Sequence, residues 1–242
     1  MLSFEEAMMT GLARDGGLYL PESIPVMTTA QIAALEGLPY EEVAFQVMWP
    51  FLGGAFTAEE FREILARSYA GFAHAAKAPL KQLAPGHFLL ELFHGPTLAF
   101  KDFAMQLIGQ MMQAALARSG KRITIVGATS GDTGSAAIEA FRGLSNVDVF
   151  ILFPHGRVSE VQRRQMTTPA EANVHALAVD HRAAFAVAEE SGPQDELKQV
   201  GGADRDQQAH VALLTKQVQA DRLGLELEHA DARHEDQDEV EG

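Results

Sequence analysis

Apolar residues at helical spacing dominate the first third of the chain. Ser3 and Glu6 stand three apart just ahead of Met8 and Met9. That is the spacing at which a hydroxyl and a carboxylate satisfy each other's free amides at a helix start. Thr28 with Gln31 and Thr57 with Glu60 repeat it. The last pair leads into Phe61, Ile64, Leu65 and Tyr69, which fall on one helical face. Residues 40–52 read as a helix bent or ended at Pro50, whose ring removes an amide donor. A turn at residues 14–17 and a proline-bounded loop at 21–25 interrupt the region. Residues 1–78 are therefore predicted to be mainly helical.

The pattern then changes. Residues 88–93 (Phe-Leu-Leu-Glu-Leu-Phe), 122–126, 147–153 and 173–179 have strand character, and helical stretches at 101–118, 134–142 and 159–166 lie between them. Alternation of this kind implies crossover connections and a parallel α/β sheet. The fold class predicted is α/β, a helical N-terminal region followed by a partial parallel sheet. No internal repeat is visible.

Composition narrows the function. Of 242 residues, 47% are apolar and 21% charged, enough apolar surface to bury a core. Acidic side chains number 33 against 19 basic, a formal net charge of -14. Such a chain repels phosphate backbones, so nucleic acid is not an expected partner. No apolar run, such as that at 149–153, approaches the roughly 18 residues of a membrane-spanning helix. With no apolar leader at the N-terminus, a cytoplasmic protein is expected. Absence of cysteine removes disulfides, thiolate nucleophiles and thiolate-bound zinc, and the nine histidines show no metal-ligand spacing. Residues 181–242 hold 15 acidic and 6 basic side chains, so nine of the fourteen net negative charges sit there. Phe185 is their one aromatic residue. Such a composition predicts an acidic, poorly structured tail.

Two segments carry candidate chemistry. In the first, His94-Gly-Pro-Thr-Leu-Ala-Phe-Lys-Asp-Phe103, a strand gives way to a Gly-Pro turn and Lys101 lands at the start of a helix. The positive end of the helix dipole disfavours an ammonium there, and a neutral amine is what Schiff-base chemistry requires. Taken alone, a lysine at such a position is more often a solvated first-turn residue. The second, Gly127-Ala-Thr-Ser-Gly-Asp-Thr-Gly134, runs from a strand into a helix. Its glycines and first-turn amides suit an anion, although it is neither a Walker A loop nor a G-x-G-x-x-G turn. A plain capping turn fits the same residues. Asp132 suits a cofactor hydroxyl or a cation better than a bare anion.

Together these segments resemble the threonine synthases, pyridoxal 5'-phosphate (PLP) enzymes of the tryptophan-synthase-β-like, type II fold. Further likeness lies in Asp15-Gly-Gly-Leu-Tyr-Leu-Pro21, in Phe153-Pro-His-Gly-Arg-Val-Ser-Glu-Val-Gln162 and in Gln165-Met-Thr-Thr168. The resemblance covers roughly residues 2–179. It implies three parts: a threonine-synthase-like N-terminal domain at 1–84, a partial PLP-binding α/β domain at 85–180, and a tail at 181–242 outside the family pattern. It implies that Lys101 holds PLP covalently and shuttles protons, with Asp132 near the ring hydroxyl. Thr129, Ser130 and Thr133 would hold the substrate carboxylate, and Arg157 and Ser159 the leaving phosphate, although Ser159 equally fits a helix cap. The implied reaction turns O-phospho-L-homoserine and water into L-threonine and phosphate. The residues give no oligomeric state.

The family's earlier Tyr-x-Ser-Thr-Arg-Gly stretch, its glycine-rich loop for the PLP phosphate and its residue facing the pyridine nitrogen have no counterpart here. A truncated chain, or an altered reading frame after residue 180, is expected. Such a chain is expected to bind PLP weakly and to show little synthase activity alone. Another PLP-dependent lyase or dehydratase, and a non-catalytic fragment, are the alternative readings.

Overall fold

The computed structural model of the protein describes residues 1–129 and 131–179. Four helices come first: α1 (Phe4–Thr10), α2 (Thr29–Ala33), α3 (Tyr40–Met48) and α4 (Ala58–Tyr69). The capping pairs read from the sequence all form, at Ser3 and Glu6, Thr28 and Gln31, and Thr57 and Glu60. Pro50 sits in a single 3-10 turn, Trp49–Phe51, that ends α3. The segment at 14–17 closes a turn, with Leu12 bridging Leu18.

Next comes an antiparallel hairpin, β1 (Leu80–Ala84) with β2 (His87–Leu90). The strand expected at 88–93 thus begins one residue earlier, ends three residues earlier and lies outside the parallel sheet. The partner β1 carries no strand signal that the apolar pattern would single out. Phe88, Leu89 and Leu90 remain about half exposed. Helix α5 (Asp102–Ser119) follows, then β3 (Ile123–Ala128), α6 (Asp132–Phe141), β4 (Val147–Pro154), α7 (Glu160–Thr167) and β5 (Val174–Val179). The three last strands form one parallel sheet in the order β3-β4-β5. The α/β class and the helices-first order are as expected.

Two cores meet on α5. On one side Phe45, Phe61, Ile64, Leu65, Tyr69 and Phe72 of the helical region pack with Leu107 and Met111. On the other, Met112 and Leu116 join Ile138 and Phe141 of α6 and the buried face of β4, namely Val147, Val149, Ile151 and Phe153. One helix therefore belongs to both layers and fixes where its own N-terminus lies. The contact with α6 is close. A Cβ built on Gly109 would stand 2.5 Å from the carbonyl oxygen of Ala140.

Arg118, near the C-terminus of α5, reaches Glu5 of α1 and Glu60 of α4, both at 2.7 Å. It also donates to the Ala55 carbonyl at 3.2 Å. At the far end of α6, Asn173 donates to the carbonyls of Phe141 and Val147 and accepts from the Gly143 amide. These contacts tie the ends of the helices without lengthening the core. The acidic tail expected at 181–242 lies outside the described residues. Among the described residues no helix is long and apolar enough to cross a membrane.

Candidate active site

The chain leaves β2 and returns to α5 through a tight turn. Asp102, the first residue of α5, is fully buried. Its carboxylate accepts the Thr97 N–H at 2.9 Å and the Thr97 hydroxyl at 2.7 Å. Within the turn the Leu98 N–H donates to the Gly95 carbonyl at 3.1 Å. Leu98 has a φ of 64°. A residue with a Cβ costs roughly 1–2 kcal/mol in that left-handed region, so surrounding contacts must hold it.

Lys101 follows this turn and is half-buried. Its Nζ lies 4.8 Å from the centre of the Phe100 ring and forms no hydrogen bond or ion pair with the described residues. Deeper down, Glu139 of α6 is half-buried. Burial pushes its carboxyl up; Arg142 pulls it down, while Asp102 and Glu171 push it further up.

The second segment begins where β3 ends. The hydroxyl oxygen of Thr129 accepts from the Gly131 N–H at 3.1 Å and the Gly134 N–H at 3.3 Å. Thr129 and Thr133 are buried, and Asp132 is exposed at the first turn of α6. Gly131 has a φ of 150°, and the Gln162 side chain occupies the space a Cβ would need. Below lies a cavity of about 20 Å³ lined by Met105, Ile125, Thr133, Gly134, Phe141 and Ile151. It has room for about one water and none for a cofactor.

Helix α7 connects the two segments. Ser159 caps it: its hydroxyl accepts from the Gln162 N–H, and the Gln162 Oε1 accepts the Ser159 O–H at 2.8 Å. Gln162 spends its other end on Asp132, donating from Nε2. One turn later, Gln165 Nε2 donates to the Thr97 carbonyl at 3.1 Å. The lysine turn and the glycine turn are therefore each tied to α7. Of the residues singled out in the sequence, Lys101, Thr129, Asp132 and Thr133 lie in these two tied segments. Ser159 is occupied as a cap. Arg157 is exposed and without a side-chain partner among the described residues. Ser130 lies outside the described residues. The roles of Asp102, Gln162 and Gln165 were not legible. Only the Ser159-to-Gln162 spacing carried a signal, and it signalled a cap.

Comparison with known proteins gives the lineage. Residues 1–69 match the family model described as threonine synthase N terminus. The threonine synthase of Pseudomonas aeruginosa is 56% identical over 179 residues, covering 74% of this chain and 38% of the relative. That of Schizosaccharomyces pombe is 46% identical over 187 residues, 74% of this chain and 36% of the relative. About three quarters of this chain matches an N-terminal portion of threonine synthase. The solved structures agree. The PLP-bound threonine synthase of Brucella melitensis superposes with a TM-score of 0.75 at 54% identity, covering 78% of this chain and 41% of that one. The Escherichia coli threonine synthase gives 0.66 at 35% identity, with 78% and 43% covered. The chain spans little more than a third of the length of the curated threonine synthases it matches.

The donor set fits one end of PLP. Lys101 offers a primary amine with no ion pair among the described residues, the group that condenses with an aldehyde, and Asp132 offers a carboxylate on the other turn tied to α7. The phosphate end is different. The amides of Gly131 and Gly134, which would suit it, are taken by Thr129. Among the described residues no group of three or more His, Asp or Glu could hold a metal ion.

Proposed function

We propose that this chain carries the lysine-bearing part of a threonine synthase site and takes part in converting O-phospho-L-homoserine and water to L-threonine and phosphate. The observation that supports this most is the Lys101 amine, without an ion pair among the described residues, on a turn tied through α7 to the turn bearing Asp132. PLP, when bound, supplies an electron sink that lets phosphate leave Cγ and water add at Cβ.

The chain's own residues do the rest. Lys101 would hold the cofactor by its aldehyde carbon and would carry protons to and from Cα and Cβ of the substrate. Asp132 would accept a hydrogen bond from the ring hydroxyl. The 129–133 turn receives the substrate carboxylate. Thr129 shapes it by accepting two amides, and its own O–H proton stays available to the carboxylate. Thr133 and Ser130 would add their hydroxyls to the substrate carboxylate. The exposed guanidinium of Arg157 is available to the departing phosphate. Ser159 contributes through its cap on α7.

The proposed division at 1–84 and 85–180 separates the helical region from the part bearing the amine and the sheet, with α5 packed against both. Cofactor affinity is expected to be weak. Each charge-assisted hydrogen bond missing from the phosphate end forfeits roughly 1.5–3 kcal/mol.

The test is a titration of the chain and of Lys101→Ala with PLP, followed by borohydride reduction and peptide mass mapping. A visible band and a reduced adduct at Lys101, both lost in the variant, are expected. Identical spectra for the two proteins overturn the reading. Phosphate release from O-phospho-L-homoserine, with no ammonia or 2-oxo acid formed from serine or threonine, separates a synthase from a dehydratase.

A further inference from the structure

We propose that Gln165 and Gln162 of α7 are positioning residues that set the Lys101 amine and the Asp132 carboxylate in a common frame. The inference rests on the reading of Lys101 as the reactive amine.

The argument begins at Leu98. Its left-handed backbone is unfavourable for a residue with a Cβ, and its side chain is 65% exposed, so its own burial does little to repay that cost. Two contacts pin the peptide unit that enters it. The Leu98 N–H goes to Gly95, and the Thr97 carbonyl of the same peptide receives Gln165 Nε2. Rotation about the Leu98 N–Cα bond is defined against that peptide plane, so holding the plane holds the turn. Lys101 lies three residues on, at the entry to α5. Asp102 pins Thr97 from the α5 side. Gln165 is the hold from outside the turn and its own helix.

Gln162 does the corresponding work on the other turn. Its Oε1 is fixed by the Ser159 cap, which leaves Nε2 aimed at Asp132. The amide lies directly over Gly131, a position where any side chain would displace it. Two amides one turn apart on a single rigid helix thus reach the two segments. Their spacing is set by the rise of α7.

The two glutamines are tested by amide hydrogen exchange on the full chain, with Gln165→Met, which keeps length and removes the donor, and Gln162→Glu, which keeps the capping oxygen and removes the donor. Arg164→Ala, on the outer face of the same helix, is the control. In Gln165→Met, exchange at Thr97 and Leu98 is expected to rise roughly five-fold with α4 unchanged. In Gln162→Glu the same is expected at Gly131 and Gly134. Wild-type exchange at those amides overturns the proposal.

The second readout is PLP with borohydride trapping, scored as the yield at Lys101 relative to exposed Lys121, alongside the induced circular dichroism of the visible band. Gln165→Met is expected to lower both roughly five-fold at unchanged far-ultraviolet dichroism. Looser amides with an unchanged trapping ratio overturn the positioning role. If wild-type Lys101 is not trapped in preference to Lys121, the synthase reading fails instead, and the exchange result alone decides whether α7 holds the turns.

Discussion

Asp102 holds Thr97 with both oxygens of its carboxylate, at 2.9 Å from the backbone N–H and 2.7 Å from the hydroxyl. The pair is buried, so neither bond is diluted by water. Asp102→Ala leaves two donors without an acceptor and is expected to cost about 3 kcal/mol, read as a lower urea midpoint. Asp102→Asn retains one acceptor and should fall between. A wild-type midpoint for Asp102→Ala would show that the turn is held elsewhere.

Glu139 faces Asp102, Arg142 and Glu171, and the balance raises its carboxyl, burial being the largest cause. A folded value above the unfolded one means that ionisation favours unfolding. The stabilising contribution of the protonated form is complete below the ordinary carboxylate range and is lost as pH rises through the raised value. Glu139→Gln is therefore expected to raise the thermal midpoint at neutral pH and to leave it unchanged near about pH 4. Equal midpoints across that range would contradict the assignment.

Gly109 allows α5 and α6 to touch backbone to backbone. Gly109→Ala places a methyl group against the Ala140 carbonyl and is expected to destabilise by about 1–3 kcal/mol, despite the better helix propensity of alanine. Denaturant unfolding with an unchanged m-value would attribute the loss to packing.

Arg118 joins α1, α4 and α5 through two carboxylates and a carbonyl. Its side chain is 40% exposed, so screening limits its worth. Arg118→Met keeps an apolar stem but removes the guanidinium, which also lies over the Phe56 ring, and is expected to cost about 1 kcal/mol at low salt, shrinking as salt is added. A salt-independent loss would point to packing rather than charge.

Local signals made most of the fold legible. Each N-cap read from a hydroxyl and a partner three residues on is present, because both groups of the pair lie in the same few residues. Strand β4 was legible as a short apolar run between polar stretches, as a strand of a covered parallel sheet reads, although its burial alternates in the fold. The hairpin was misplaced in the sheet because Phe88, Leu89 and Leu90 form a continuous apolar run, which reads as buried on both faces although the strand is exposed. At the site, Lys101 and the glycine turn announced themselves through their neighbours in sequence. Gln165 could not, since its partner Thr97 is 68 residues away and a lone glutamine has no pattern.

The order β3-β4-β5 winds in a single direction, and the outer edge of β3 has no strand beside it among the described residues. In open α/β sheets the crevice for small molecules opens where the winding reverses, beyond the strands' carboxyl ends. A strand laid along that bare edge by additional polypeptide would create the reversal directly above residues 128–132. The cleft would then be walled on its second side, and the glycine turn would pass from an outer margin to the floor of an enclosed chamber.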